Sequence, residues 1–302
     1  MATRQRDPAE PRPPADERLL PPALLARLGR LRLRARRRVE GRYAGTHASR
    51  RHGSSLDFAD YREYVAGDDP RRVDLHAHAR LGKLLVKLFE AEDEAALRVV
   101  VDTSASMGFG GKSRAARQVA AALAAIAAGG GDRVRVLLAG PEVDPGPWFR
   151  GAAALPAVEA RLAGAAAGGG ADLGAALRRA HGEGPRGPVV LVSDLLFEGW
   201  DDVLADLAAG RGDAVAVHVL GRADLEPDLR GDLRLADSES GDEVEVGVAS
   251  DVLDAYADAR DRWLDDVVRA CGRRGIAYAR LVDDEPVEHL LAVTLADLGV
   301  VA

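Results

Sequence analysis

The sequence is almost without cysteine: Cys271 is the only one in 302 residues. A lone Cys forms no intramolecular disulfide and cannot build a Cys-based zinc or iron–sulfur centre. A reducing compartment suits such a chain. Lysine is scarce as well, with only Lys83, Lys87 and Lys112 among 41 basic residues. Beside so much Ala and Gly, that bias reads as the mark of a GC-rich genome rather than of a function. Long apolar runs are absent. No stretch reaches the ~18 residues a membrane span needs, and Ala120–Ala128 is too short and too small in side chain. The N-terminus, polar and Pro-rich from Met1 to Asp16, lacks the apolar core of a signal peptide. These absences lead us to expect a cytoplasmic chain without a membrane span.

The composition, 47% hydrophobic and 29% charged, supplies enough apolar material for a large core and excludes wholesale disorder. The net charge of −7 argues against a general nucleic-acid binder. The charge is uneven: twelve Arg and five acids in residues 1–42 give +7, which leaves −14 on the rest. Residues 1–22, with six prolines among charges, read as a disordered tail. From Ala23 to Arg38, Leu24, Leu25, Leu28 and Leu31 recur at helical spacing among arginines. This basic helix either packs its Leu stripe on the body or docks on an acidic partner, an anionic membrane or a nucleic acid. Residues 23–93 form an N-terminal extension, with a turn at Gly67-Asp68-Asp69-Pro70 and a strand near Leu84–Leu88.

From residue 94 the pattern becomes strand–helix alternation. Strands are predicted at Leu97–Val101, Val134–Leu138, Val189–Val192, Ala214–Leu220 and Ala277–Val282, with Trp148–Phe149 as an edge. Helices are predicted at Lys112–Ala128, Leu155–Leu162, Asp172–Arg179, Val203–Ala208, from a Ser250 cap to Gly275, and Val287–Leu298. Leu233–Leu235 and Val244–Val248 flank a hairpin turn. The alternation predicts an α/β fold, a doubly wound and mostly parallel sheet covered on both faces. Ligands in such sheets sit at the carboxyl ends of the strands.

One constellation carries chemistry. The first buried strand runs into Asp102-Thr103-Ser104-Ala105-Ser106-Met107, and a later strand into Ser193-Asp194. Asp102, Ser104, Ser106 and Asp194 offer two carboxylates and two hydroxyls, hard oxygen donors suited to Mg²⁺, Mn²⁺ or Ca²⁺. The plainer reading is that Ser and Asp after a strand only cap the next helix.

This pattern resembles the metal-ion-dependent adhesion site of a von Willebrand factor A domain. Upstream, Gly53-Ser54-Ser55-Leu56-Asp57-Phe58, Asp60-Tyr61-Arg62-Glu63-Tyr64 and Gly67-Asp68-Asp69-Pro70-Arg71-Arg72-Val73-Asp74 resemble the domain-of-unknown-function 58 family. So do Ala79-Arg80, Val86-Lys87, Leu235-Ala236-Asp237 and Tyr256, so the resemblance runs from about Leu24 to the C-terminus. It implies a von Willebrand-like domain over 94–302 and a non-enzymatic interaction module. The implied partner is a MoxR-type AAA+ ATPase in chaperone-like maturation, with an acidic client residue completing the metal shell. Two positions depart from the pattern. Ala171 stands where the adhesion site has Thr, which removes a hydroxyl ligand and makes the Mg²⁺ site degenerate. Leu75 stands where the family usually has Trp. A metal-assisted hydrolase, or a scaffold with no bound metal, remain the alternatives.

Other signals fail. Gly111-Lys112-Ser113 lacks the upstream Gly of a phosphate-binding loop, since position 106 is Ser, so Lys112 reads as a solvated residue opening a helix. His76 and His78 sit on a presumed strand with no third zinc ligand in view. Asp68, Asp69, Arg71, Arg72 and Asp74 read as a turn held by ion pairs.

Overall fold

The computed structural model describes residues 18–33, 57–65, 73–90, 96–182, 184–185, 187–210, 212–238 and 241–301. They fall into two compact units, divided at Arg37/Arg38 and at Glu94/Ala95. The smaller unit pairs β1 (Asp57–Glu63) antiparallel with β2 (Leu85–Glu90), with a register shift between Phe58 and Asp60. Between them lies helix α2 (Leu75–Leu81). Asp74 caps that helix: its Oδ1 accepts the backbone N–H groups of His76 and Ala77 at 2.9 and 3.1 Å. His76 and His78 are therefore on a helix, not a strand, and residues two apart on a helix do not share a face. Leu75 is 72% exposed. The blocks Gly53–Leu56 and Gly67–Arg72 lie outside the described residues.

The larger unit is the expected α/β body. Its helices and strands follow as α3 (Lys112–Gly129), β4 (Arg133–Ala139), α4 (Leu155–Ala163), α5 (Leu173–Gly182), β7 (Val189–Ser193), α6 (Trp200–Ala208), β8 (Ala214–Leu220), α8 (Ser250–Arg274) and β11 (Ala277–Val282). β3 (Ala96–Asp102) precedes them, β5 (Val143–Asp144) and β6 (Trp148–Arg150) follow β4, and the short α7 (Arg222–Leu225) follows β8. The sheet order is β11-β8-β7-β3-β4, all parallel, and β5 and β6 add antiparallel pairs on the β4 edge. Hairpin strands β9 (Gly231–Ala236) and β10 (Glu243–Val248) form a separate ribbon.

β-branched residues with a two-residue period fill both faces of this sheet. Leu97, Val99 and Val101 of β3 join one core cluster with α3, and Val100 joins the other with α5, α6 and α8. The alanines of α3 let it lie close on the sheet; Ala116, Ala120, Ala121 and Leu123 have no exposed surface. Helix α8 starts at Ser250, with Ala249 rather than Ser250 in the N-cap position. It stops where expected, at Gly275 in the left-handed conformation (φ 68°). Val267 and Cys271 of this helix are buried, while Val252 and Tyr256 are 37% and 43% exposed.

The N-terminal helix α1 spans only Pro22–Leu28 and ends at Gly29, not Arg38. Gly29, without a side chain, has low helix propensity, and the chain leaves to bridge Leu33 with Val301. Leu19, Leu20, Leu24 and Leu28 belong to the body's core, so the Leu stripe packs on the body. Residues 34–38 lie outside the described residues.

Candidate functional site

In the sheet order, chain progression runs from β3 outward to β4, then returns to β7 on the other side of β3. The two strands therefore diverge in connection at their carboxyl ends, the place where open α/β sheets leave a crevice. Val101 lies opposite Val192, so Asp102 and Ser193 emerge side by side. The Ser193 hydroxyl donates to Asp102 Oδ2 at 2.5 Å, and the Ser104 backbone N–H donates to Oδ1 at 2.8 Å. The Ser104 and Ser106 hydroxyls are 2.9 Å apart, and Ser106 Oγ lies 3.4 Å from Asp194 Oδ1. Asp102, Ser104, Ser106 and Asp194 are thus brought together. Asp102, Ser104 and Asp194 are buried; Ser106 alone is partly exposed. Leu195, next in chain, is the one described non-glycine residue at positive φ (52°), a strained turn beside Asp194.

The glycine-rich loop does not swing away. Gly168 N–H donates to the Thr103 carbonyl at 2.9 Å, and Ala105 N–H donates to the Gly169 carbonyl at 2.7 Å. Ala171 packs on the second core cluster, and Asp172 Oδ1 caps α5 by accepting Ala175 N–H at 2.8 Å.

Lys112 is not solvated. It is 1% exposed, and its Nζ lies 2.8 Å from Asp194 Oδ2 and 3.1 Å from Asp224 Oδ2. The turn that feeds it inward is tight. Gly110 sits at φ 57°, where a Cβ would lie 2.6 Å from Asp283 Oδ2. That oxygen accepts Gly111 N–H at 2.7 Å, while Asp283 Oδ1 accepts Arg222 N–H at 2.9 Å. Behind the site, His218 has no exposed surface; its Nε2 lies 2.8 Å from the Asp194 carbonyl oxygen and Nδ1 2.9 Å from the Tyr278 hydroxyl. A carbonyl only accepts, so Nε2 carries the proton and Tyr278 donates to Nδ1.

These environments set the charges. Burial, above all, raises the Asp102 pKa, and the hydrogen bonds from Ser193 and Ser104 only partly oppose it. Burial is also the largest influence on Lys112, pulling it down, but Asp194 and Asp224 together outweigh it and hold the ammonium above its ordinary value. Burial pushes His218 down to about 4. A histidine lowered in the fold resists the proton that the unfolded chain accepts from its ordinary 6.5 downward. Stability is therefore intact above 6.5 and falls as pH drops toward 4. This group alone predicts a loss of about 2 kcal/mol between pH 7 and pH 5. Urea titrations at the two pH values, on wild type and on His218→Gln, check it: the variant loses that part of the slope.

The donor set is engaged by protein groups as it stands. Both Asp102 oxygens already accept protein hydrogens, and Asp194 Oδ2 is taken by an ammonium. Ala171 adds no oxygen. Among the described residues there is no cluster of three or more His, Cys, Asp or Glu side chains placed to hold a metal ion. Lys112, Asp224, His218 and Ser193 were not singled out by sequence as site residues. One signal pointed to Lys112: a cation at the first position of a long helix opposes the helix dipole and asks for a nearby anion.

The model of the family described as "Protein of unknown function DUF58" matches residues 60–263. The chain belongs to the DUF58 family. An uncharacterized protein of Mycobacterium tuberculosis is 33% identical over 295 residues, covering 89% of this chain and 90% of its own length. An uncharacterized protein of Mycobacterium bovis matches to the same extent. Among solved structures, the conserved hypothetical protein BatB of Bacteroides thetaiotaomicron is similar at a TM-score of 0.42 and 12% identity, over 68% of this chain and 98% of that one. An aerotolerance-related membrane protein of Bacteroides fragilis gives 0.39 and 14%, over 67% and 99%. Among the described residues of this DUF58 chain, no helix is long and apolar enough to cross a membrane.

Proposed function

We propose that this DUF58 chain is a non-enzymatic protein-interaction module of von Willebrand factor A type. The observation that carries the reading is the placement of the cluster. Buried Asp102, Ser104 and Asp194 hold Ser106 at the surface, and the same two loops present Phe109 and Leu196, 53% and 40% exposed. An apolar rim around a fixed polar centre is what a docking face needs. Enzymatic use of the hydroxyls is poorly served. Asp194, the carboxylate beside Ser106, is neutralised by Lys112, and His218 is spent on the Asp194 carbonyl and Tyr278.

The proposed partner is a MoxR-type AAA+ ATPase, in chaperone-like maturation of a client; family resemblance is what supports it. With Asp194 already paired to Lys112, contact in this reading falls to Ser106 and the apolar rim. Biolayer interferometry of the purified chain against a MoxR-type ATPase from the same organism tests this. Saturable association that Phe109→Ser weakens by about tenfold or more is the expected result, the change a lost apolar anchor of ~1.4 kcal/mol or more produces. No association, or ATP turnover by this chain alone, would sink the reading.

A further inference from the structure

We infer that Lys112 is the site's own cation: its ammonium takes the charge-balancing place that the family resemblance gives to a divalent metal, so binding through this face is metal-independent. The inference rests on reading the Asp102–Ser104–Ser106–Asp194 cluster as the functional site. Three observations carry it. First, Asp194 has no exposed surface, and a buried carboxylate needs a partner charge. Lys112 Nζ, at 2.8 Å, provides it. Second, the ammonium is held from two sides, because Asp224 Oδ2 lies 3.1 Å away and itself accepts Gly221 N–H at 2.8 Å. Third, nothing in α3 asks for a cation at its first residue. The positive end of an 18-residue helix disfavours one there, and Asp283 already answers the Gly111 N–H.

A divalent ion bound to Asp194 would share one carboxylate with this ammonium, and the two cations would repel across it in a buried setting. The ammonium and the metal are therefore alternatives. Ser104 and Ser106, which would be hydroxyl ligands to a metal, instead complete a hydrogen-bonded chain from one hydroxyl to the other and on to Asp194. The face is complete before any partner arrives, and chelators or changes in free Mg²⁺ leave it unaltered. Ala171 fits the same account: where a tethered ammonium supplies the charge, a further oxygen ligand has no task.

Mn²⁺ uptake by the full chain, read by electron paramagnetic resonance, tests the assignment on wild type, Lys112→Met and Lys112→Met/Ser106→Ala. Wild type is expected to show no saturable uptake and no change of Tm with Mn²⁺. Lys112→Met keeps the stem length and removes the charge. It is expected to take up Mn²⁺ at least about tenfold more tightly than any wild-type residue of binding, with a Tm that rises as Mn²⁺ is added. The added Ser106→Ala should cancel the gain. If Lys112→Met is insoluble, Lys112→Met/Asp224→Asn removes one orphaned carboxylate, keeps the four-residue cluster, and is read in the same way. Saturable Mn²⁺ uptake by wild type that Ser106→Ala abolishes overturns the inference, and so does a soluble Lys112→Met form of either kind that gains no uptake. Partner capture with and without a chelator is scored separately. Absent capture with the expected Mn²⁺ results sinks the interaction reading and leaves Lys112 its role; capture that a chelator abolishes sinks the role of Lys112 and leaves the interaction reading.

Discussion

Deleting residues 1–33 leaves no soluble folded protein. The basic N-terminal segment looks from its charge like a detachable arm, but its apolar side is inside the body. Leu20 has no exposed surface, and Leu19, Leu24 and Leu28 are 6%, 5% and 3% exposed. They share a core cluster with Val119 and Leu123 of α3 and with Leu291 and Leu295 of the C-terminal helical stretch. Polar contacts fix the approach: Leu20 N–H donates to Glu159 Oε1 at 3.2 Å, and Gln118 Nε2 donates to the Leu19 carbonyl at 3.2 Å. A buried Leu→Ala change typically costs about 2–5 kcal/mol. Four such losses together reach the whole stability of an ordinary domain, about 5–15 kcal/mol. Leu20→Ala alone should cost about 3 kcal/mol in urea unfolding. A truncated chain that stays monomeric with an unchanged Tm would show that the body closes without the segment. The exposed Arg27 and Arg30 remain free to act in association, but the deletion cannot isolate that role from folding.

The same segment shows what a sequence yields and what it withholds. Short Val-rich runs such as Val99–Val101 and Val189–Val192 favour buried strands, and all five parallel strands were legible to within one residue at their ends. Strand β1 was not legible, because Asp57-Phe58-Ala59-Asp60-Tyr61 mixes acids with aromatics and pairs with β2 through an irregular register. Helix α1 was overextended because arginines at helical spacing mimic a continuing helix, while one glycine and a long-range bridge to Val301 decide its end. At the site, the D-x-S-x-S run and Ser193-Asp194 were legible as strand-end donors. Their juxtaposition depends on β7 returning beside β3, a tertiary fact. Asp283 directly follows β11 just as Asp194 follows β7, and Asp224 comes four residues after β8, within α7. Acids beyond the ends of these parallel strands were a readable pattern; two of them, Asp194 and Asp224, pair with Lys112, and Asp283 holds the Gly111 N–H before it.

Lys112→Met should be the most destabilising single change at the site. Removing one partner of a buried ion pair typically costs about 3–5 kcal/mol, because the partner charge is left without compensation. Here the exposure of the two side chains is 2% for Lys112 and 0% for Asp194, so solvent cannot take over. Asp224, at 26%, can turn part of its carboxylate to water and suffers less. The destabilisation should thus trace to Asp194. Lys112→Met/Asp194→Asn should recover much of what Lys112→Met loses, and the double-mutant cycle should give a coupling of a few kcal/mol, about the range of directly contacting charged groups. The pH dependence carries the opposite sign to that of His218. Lys112 is held above its ordinary 10.5, so its contribution is fully present below that value and is lost as pH rises through the higher folded value. Wild type should therefore weaken at strongly alkaline pH more steeply than Lys112→Met, which has no such group to lose. Equal alkaline slopes, or a variant as stable as wild type at pH 7, would mean that the ammonium is not engaged by Asp194 in solution. The site would then stand open to the divalent ion that the D-x-S-x-S pattern suggests.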